Sequence, residues 1–128
     1  MWYQFSSYLL VRNSTIAENV RLAGANAGIT CETDMFGPQV RNSIVWGNTG
    51  SVGITGMCLA YNTDFTGAAT QSGNFSADPM FVSPGSDYRI QSSSPCRGVG
   101  DPGYADTTDY FGNPKPQGLH DIGAHEIP

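Results

Sequence analysis

The carboxylates of this chain gather in its second half, where Asp78, Asp87, Asp101, Asp106, Asp109, Asp121 and Glu126 all lie. Asp101, Asp106 and Asp109 fall within one Gly- and Pro-containing stretch. Oxygen ligands on such a loop suit calcium, so these three are the candidate metal ligands, although their spacing matches no EF-hand loop, and N-capping and Asx-turn roles are the favoured use of each. Two histidine-carboxylate pairs follow, His120-Asp121 and His125-Glu126, residue types that can ligate zinc. If residues 121–126 form one extended strand, the imidazoles fall on opposite faces, because successive side chains of a strand alternate, and a shared zinc ion is not expected. Trp46 and Tyr61 are candidates for stacking on a sugar ring, with Asp64 the acidic member of that ligand-binding set. The remaining ionisable groups of the first half are Glu18, Glu32 and Asp34 with Arg12, Arg21 and Arg41. Arg12 and Arg41 fall in register and would form one outward, solvated row of the kind that contributes little to stability. No nucleophile elbow, phosphate loop, dinucleotide fingerprint or catalytic Cys/His pair is legible, and the serine run over residues 92–94 has no neighbouring histidine. These residues favour a chain that is not an enzyme.

The elements that must position these groups are short and extended. Sixteen glycines and eight prolines punctuate the chain, only 13% of residues are charged, and no window sustains a helical period. That is an all-β composition. A chain of 128 residues is one domain's worth, burying roughly two-thirds of its unfolded surface. A formal charge of -5 with only six scattered cations argues against nucleic acid, since phosphate binding needs clustered Lys and Arg. An ionic partner should therefore be a cation, and a neutral one a polyol.

Cys31, Cys58 and Cys96 are too few for a disulfide framework, and their odd number leaves at least one thiol free in a monomer. A small buried hydrophobe is the expected role of each, with Cys58 to Cys96 the bridge to consider instead. The opening residues, "MWYQFSSYLL", show neither a basic leader nor an apolar run long enough to span a membrane. They read as a strand in which Trp2, Tyr3 and Phe5 supply aromatic bulk, and neither export nor membrane insertion is expected from them.

A repeat organises the first half. "VRNSTIAEN" at residues 11–19 returns as "VRNSIVWGN" at residues 40–48, and a fixed period of this size signals stacked repeats. Val11, Ile16, Val40 and Val45 are expected to point inward, with Asn13 and Asn42 at one corner and Asn19 and Asn48 at the next. Asparagine tolerates the left-handed backbone such corners need, and identical amides one above the other can bond along the stack. "AGITCE" at 27–32 and "VGITGM" at 52–57 form a second corresponding pair at a shorter offset, and "CLAYNTDF" at 58–65 is a weaker third copy. Beyond residue 67 turn dipeptides separate short strands at 80–82, 88–90 and near 122–124. This remainder reads as a tail that wraps the last repeat. The division is repeats over residues 1–66 and a capping segment of the same domain over 67–128.

"NSIVWGN", then "ADPMFVSPGSDYRIQSSSPCRGVGD", then "FGNPKPQGLHDIGAHE" resemble, over roughly residues 11–126, the C-terminal end of right-handed parallel β-helix proteins of the choice-of-anchor Q type. Those proteins read as an NSIxWGN coil, DPLFVD…DYRLxxxSPxIDxGD and a DIGAYE close. This chain departs at Arg97-Gly98, where the pattern has Ile-Asp, and at His125, where it has Tyr. The resemblance implies a right-handed parallel β-helix of two to three coils, and relatives that are secreted or cell-surface proteins. It also implies carbohydrate as the substrate class to consider, in an oligomer whose groove is completed across subunits. A short stack exposes its end, so a homodimer or higher homo-oligomer through the N-terminal coil is expected.

Overall fold

The computed structural model describes residues 9–23, 28–32, 37–50, 52–67 and 72–128. Residues 1–8 of the expected N-terminal strand, and Asp34, lie outside them. The described chain is all-β, with a single 3-10 turn at Pro102–Tyr104 as its helical element. The first repeat contributes β1 (Leu10–Arg12), β2 (Thr15–Ala17) and β3 (Ile29–Cys31), and the second β4 (Gln39–Arg41), β5 (Ile44–Trp46) and β6 (Ile54–Gly56). The third adds β7 (Leu59–Tyr61) and β8 (Asp64–Phe65). Like pairs with like in three parallel sheets, ordered β1-β4-β7, β2-β5-β8 and β3-β6. Val11 stands beside Val40 and Val40 beside Ala60, Ile16 beside Val45 and Val45 beside Phe65, Ile29 beside Ile54. The repeated words are thus neighbours in space.

The corners explain the asparagines. Asn13, Asn42 and Asn62 all adopt left-handed backbone, with φ of 47°, 48° and 46°, a region that Asn enters more readily than other side-chain-bearing residues. At the second corner Asn19 donates from its amide to Asn48 Oδ1 at 2.8 Å, and Asn48 donates to the Ile16 carbonyl at 2.9 Å, which is the expected ladder. The first corner differs. There the amides leave the stack sideways: Asn62 donates to the Val99 carbonyl, Asn42 to that of Asp101, and Asn13 to that of Tyr104 and to the Asp106 carboxylate. The Asp101 N–H returns a bond to Asn42 Oδ1 at 2.8 Å. The C-terminal segment therefore runs along all three repeats, from the third to the first as residue numbers rise, rather than wrapping only the last.

Two apolar cores result. Val40, Val45 and Ile54 are buried inside the repeats with Val11, Ile16, Ile29, Ala60 and Phe65 around them. Ile44, on the opposite face of β5, packs with Phe81, Ile90, Cys96 and Ile122 of the C-terminal segment, and Trp46 joins that second core. Alternation along a strand sends neighbouring side chains to opposite faces, so the unbroken apolar run Ile44-Val45-Trp46 reflects a strand covered on both sides.

The C-terminal segment carries one antiparallel pair, β9 (Phe81–Ser83) with β10 (Asp87–Ile90). The expected strand near residues 122–124 is absent. Gly123 has φ 89°, and a side chain there would come within 2.7 Å of Ile44, so the chain presses a glycine flat against β5 instead of extending. Lys115, among prolines that bar a central strand, is buried, with its ammonium 3.2 Å from Glu126 Oε2 and 3.1 Å from the Asp121 carbonyl.

The small-hydrophobe expectation holds for Cys96 alone, and the pairing is not Cys58 with Cys96. Cys31 is bonded to Cys58, and Cys96 is a buried free thiol. The reason is register: Cys31 lies beside Gly56, which brings Cys58, two residues on, within 5.2 Å between Cα atoms. By restricting the unfolded chain such a link contributes about 3 kcal/mol.

Replacing Asn42 by Ala should destabilise the protein by about 3 kcal/mol, through the loss of three side-chain hydrogen bonds, two to Asp101 and one to His120, and a strained corner. Asn42→Gly keeps the corner and should lose only the bonds, about 2 kcal/mol. Urea unfolding checks both, and equal effects from Asn42→Ala and the exposed Asn19→Ala would refute the docking role of the first corner.

Candidate functional site

A groove of about 600 Å³ opens where the C-terminal segment meets the outer edge of the first repeat. Its floor is β2, from Thr15 to Ala17, and its walls are Tyr88, Tyr110 and Phe111, with Asn19, Ser86 and Asp87 at the rim. A second cleft of about 530 Å³ continues from it, sharing Thr15, Tyr110 and Ala124. β10 delivers Tyr88, which packs edge-on against Phe81 at 5.2 Å. Tyr110 and Phe111 stand perpendicular to each other at 5.2 Å, and Phe111 stands edge-on to His125 at 5.7 Å. His125 is held in turn by accepting the Ile90 N–H at Nδ1, 3.2 Å away. Tyr110 is 84% exposed and Phe111 54%, so both faces are open to a ligand.

Asp109 places this aromatic pair. Its carboxylate accepts from the N–H groups of Phe111, Asn113 and Glu126 and from the Asn113 side chain. Burial pushes this carboxyl up, but those donors outweigh it and hold it below the usual range. At the other wall, Glu18 has left-handed backbone, φ 54°, and its carboxylate accepts from the Tyr88 hydroxyl at 2.9 Å. That hydrogen bond raises the Tyr88 hydroxyl above its ordinary value. Asp87 is held down to about 2 by its hydrogen bonds to Arg89. Asp87 is thus ion-paired with Arg89 at the rim, and the groove suits a neutral ligand with apolar faces.

The sequence candidates are dispersed. Asp101 caps the 3-10 turn by accepting the Gly103 N–H. Asp106 binds Asn13 and pairs with Arg12 at 2.9 Å. Asp109 is occupied as described. Each of the three has its own protein partners, and among the described residues no group of three His, Cys, Asp or Glu side chains is arranged to hold a metal ion. Trp46 and Tyr61 belong to different sheets, and Asp64 is fully buried, so that set does not line one surface. His120 is buried with Nε2 3.1 Å from the Asn42 amide. The arginine row is not simply solvated: the Arg41 guanidinium lies between the rings of Tyr61 and Tyr104, 4.0 and 4.1 Å from their centroids, a stacked cation-π contact.

Tyr88, Tyr110 and Phe111 are the groove residues that the sequence reading passes over. Adjacent aromatics in the otherwise polar "TTDYFGN" are the signal that was available. Their meeting with β2, some ninety positions upstream, has no local trace.

One buried pair stands apart from the groove. The Cys96 thiol lies 3.3 Å from Asp64 Oδ2, and Asp64 Oδ1 accepts the Ala77 N–H. Burial raises the Asp64 carboxyl to about 6, against the lowering by Ala77 and Cys96, and with a smaller push from Asp78. Burial, and then the charge of Asp64, push the Cys96 thiol up, so this cysteine is a poor nucleophile.

No family model, no curated protein and no solved structure matches the chain.

A carboxyl whose folded value is raised stabilises the fold while protonated, and that contribution is lost as pH rises between the unfolded value near 4 and the folded value of about 6. For Asp64 the loss is on the order of 3 kcal/mol. Asp109 acts oppositely, with stability lost as pH falls through its lowered value. Urea unfolding between pH 4 and 7 should show the Asp64 decline, and Asp64→Asn should flatten it. An unchanged pH profile in Asp64→Asn would refute the assignment.

Proposed function

We propose that the parallel stacks are two to three coils of a short right-handed β-helix, flanked by its C-terminal segment, and that the chain works as a structural or interaction module without catalysis. The in-register pairing of Val11, Val40 and Ala60 on successive strands is the observation that carries this reading. It agrees with the resemblance to the C-terminal end of choice-of-anchor Q proteins. The Cys31–Cys58 bond supports an oxidising, extracytoplasmic setting. Against catalysis stands the use of the buried acids: Asp64, Asp109, Asp121 and Glu126 accept backbone N–H groups, and Cys96 is buried.

A second reading, carbohydrate binding, is favoured by the open faces of Tyr110 and Phe111 above the β2 floor. Aromatic rings beside amide and carboxylate groups fit the apolar faces and hydroxyls of a neutral sugar.

A glycan array and a depolymerisation screen separate the readings. Neither binding nor oligosaccharide release is expected of the structural module, and cleavage of any polymer would overturn the non-catalytic proposal. Reproducible binding that falls at least tenfold in both Tyr110→Ala and Phe111→Ala would establish the second reading instead.

A further inference from the structure

We infer that Arg41 anchors a binding site for a carboxylate group, its guanidinium fork presented to solvent between two tyrosine rings. The site lies outside the aromatic groove and stands without either reading of the preceding subsection.

Sheet register places Arg41 in the middle of a row, with Arg12 on one neighbouring strand and Tyr61 on the other. Val40 belongs to the inner core, so alternation turns Arg41 outward. Tyr61 stacks on one face of the guanidinium and Tyr104, from the 3-10 turn, on the other, with ring centroids 4.0 and 4.1 Å from the central carbon. Nε donates to Gln39 Oε1 at 2.8 Å. Both faces and one edge of the plane are thereby fixed, and much of the rotamer freedom that an arginine gives up on binding is already lost.

The remaining edge carries Nη1 and Nη2. Neither bonds to nor pairs with a described residue. Among those residues the buried side-chain atoms left without a partner are Asn13 Oδ1 and Thr66 Oγ1, so the Arg41 edge faces solvent. The other arginines of known geometry are engaged: Arg89 meets Asp87 at two points, and Arg97 donates to the Ser92 carbonyl.

Local charge points the same way. Arg12 and Arg41 stand side by side, and the carboxylate beside them, Asp106, gives one oxygen to Arg12 at 2.9 Å and the other to the Asn13 amide. The Arg41 fork is left without a counter-charge. A carboxylate accepts two parallel N–H bonds from such a fork. Rings above and below the guanidinium favour a flat group lying in its plane over a tetrahedral one. The net charge of -5 opposes a polyanion, which suits the site to a single carboxylate. Leu59, on the same outward face as Tyr61 and 45% exposed, would meet an apolar group carried next to it.

Nitrogen-detected NMR of the arginine Nε–H groups tests the inference on the full chain, with sodium acetate titrated against sodium chloride at equal ionic strength and fixed pH. A saturable shift at Arg41, absent at Arg89, is the expected result. Arg41→Lys keeps the charge and loses the fork. It should weaken acetate binding, followed at the Tyr61 and Tyr104 ring resonances, at least about fivefold, with melting curves showing that the variant folds. A second arm uses N-acetyl-leucyl-glutamate amide: tighter binding than acetate identifies the acid side chain of a peptide as the source, and equal binding a free organic acid. No saturable shift at Arg41, the same shift at every arginine, phosphate bound more tightly than acetate, or a folded Arg41→Lys variant that binds acetate as well as the parent would each overturn it. Should that variant fail to fold, the parent's own shift decides.

Discussion

The asparagine column at residues 13, 42 and 62 is the constraint on which the remainder depends. Each residue turns the backbone through a left-handed corner, and that corner sets where the following strand begins. The same side chains then project from the stack to meet Val99, Asp101, Tyr104 and Asp106. A glycine would serve the turn without reaching the C-terminal segment, and a serine would enter the left-handed region less readily. One residue type thus sets the register of the repeats and the line along which the other half of the chain docks.

Docking along that line makes β5 a strand with two cores. Val45 faces the interior of the repeats, while Ile44 faces the C-terminal segment. That segment has little regular pairing of its own, so its backbone donors need other acceptors. Buried carboxylates supply them. Asp109 takes the N–H groups of Phe111, Asn113 and Glu126, Asp121 those of Gly98 and Ile127, and Glu126 that of Asp121. The acidic excess of the second half is in large part this internal accounting for an irregular backbone, with Lys115 beside Glu126 as buried counter-charge.

The same accounting is why residue types alone do not separate a metal site from loop capping. Aspartates within a Gly- and Pro-containing loop look alike whether they face a cation or cap the loop's own N–H groups, because both uses need oxygen acceptors at close spacing. Arg41 reads as solvated from its place on an outward row, and it is half-buried because Tyr104, from sixty-three positions later, stacks on it. The groove escaped notice for a related reason. Its floor comes from Thr15 to Ala17 and its walls from Tyr88, Tyr110 and Phe111, and no local pattern joins them.

By itself the amino-acid sequence determined the all-β character, the pairing of the repeats and the left-handed corners. Each of these is encoded by like residues at matching positions, so that one layer is a template for the next. The Cys31–Cys58 bond, the path of the C-terminal segment across all three repeats, the burial of Asp64 and Lys115 and the assembly of the aromatic groove were decided only in the tertiary structure. They arise where two segments with no common pattern are pressed together. Which groups then become neighbours is set by packing and by the need to satisfy buried donors, and neither leaves a periodic mark on the chain.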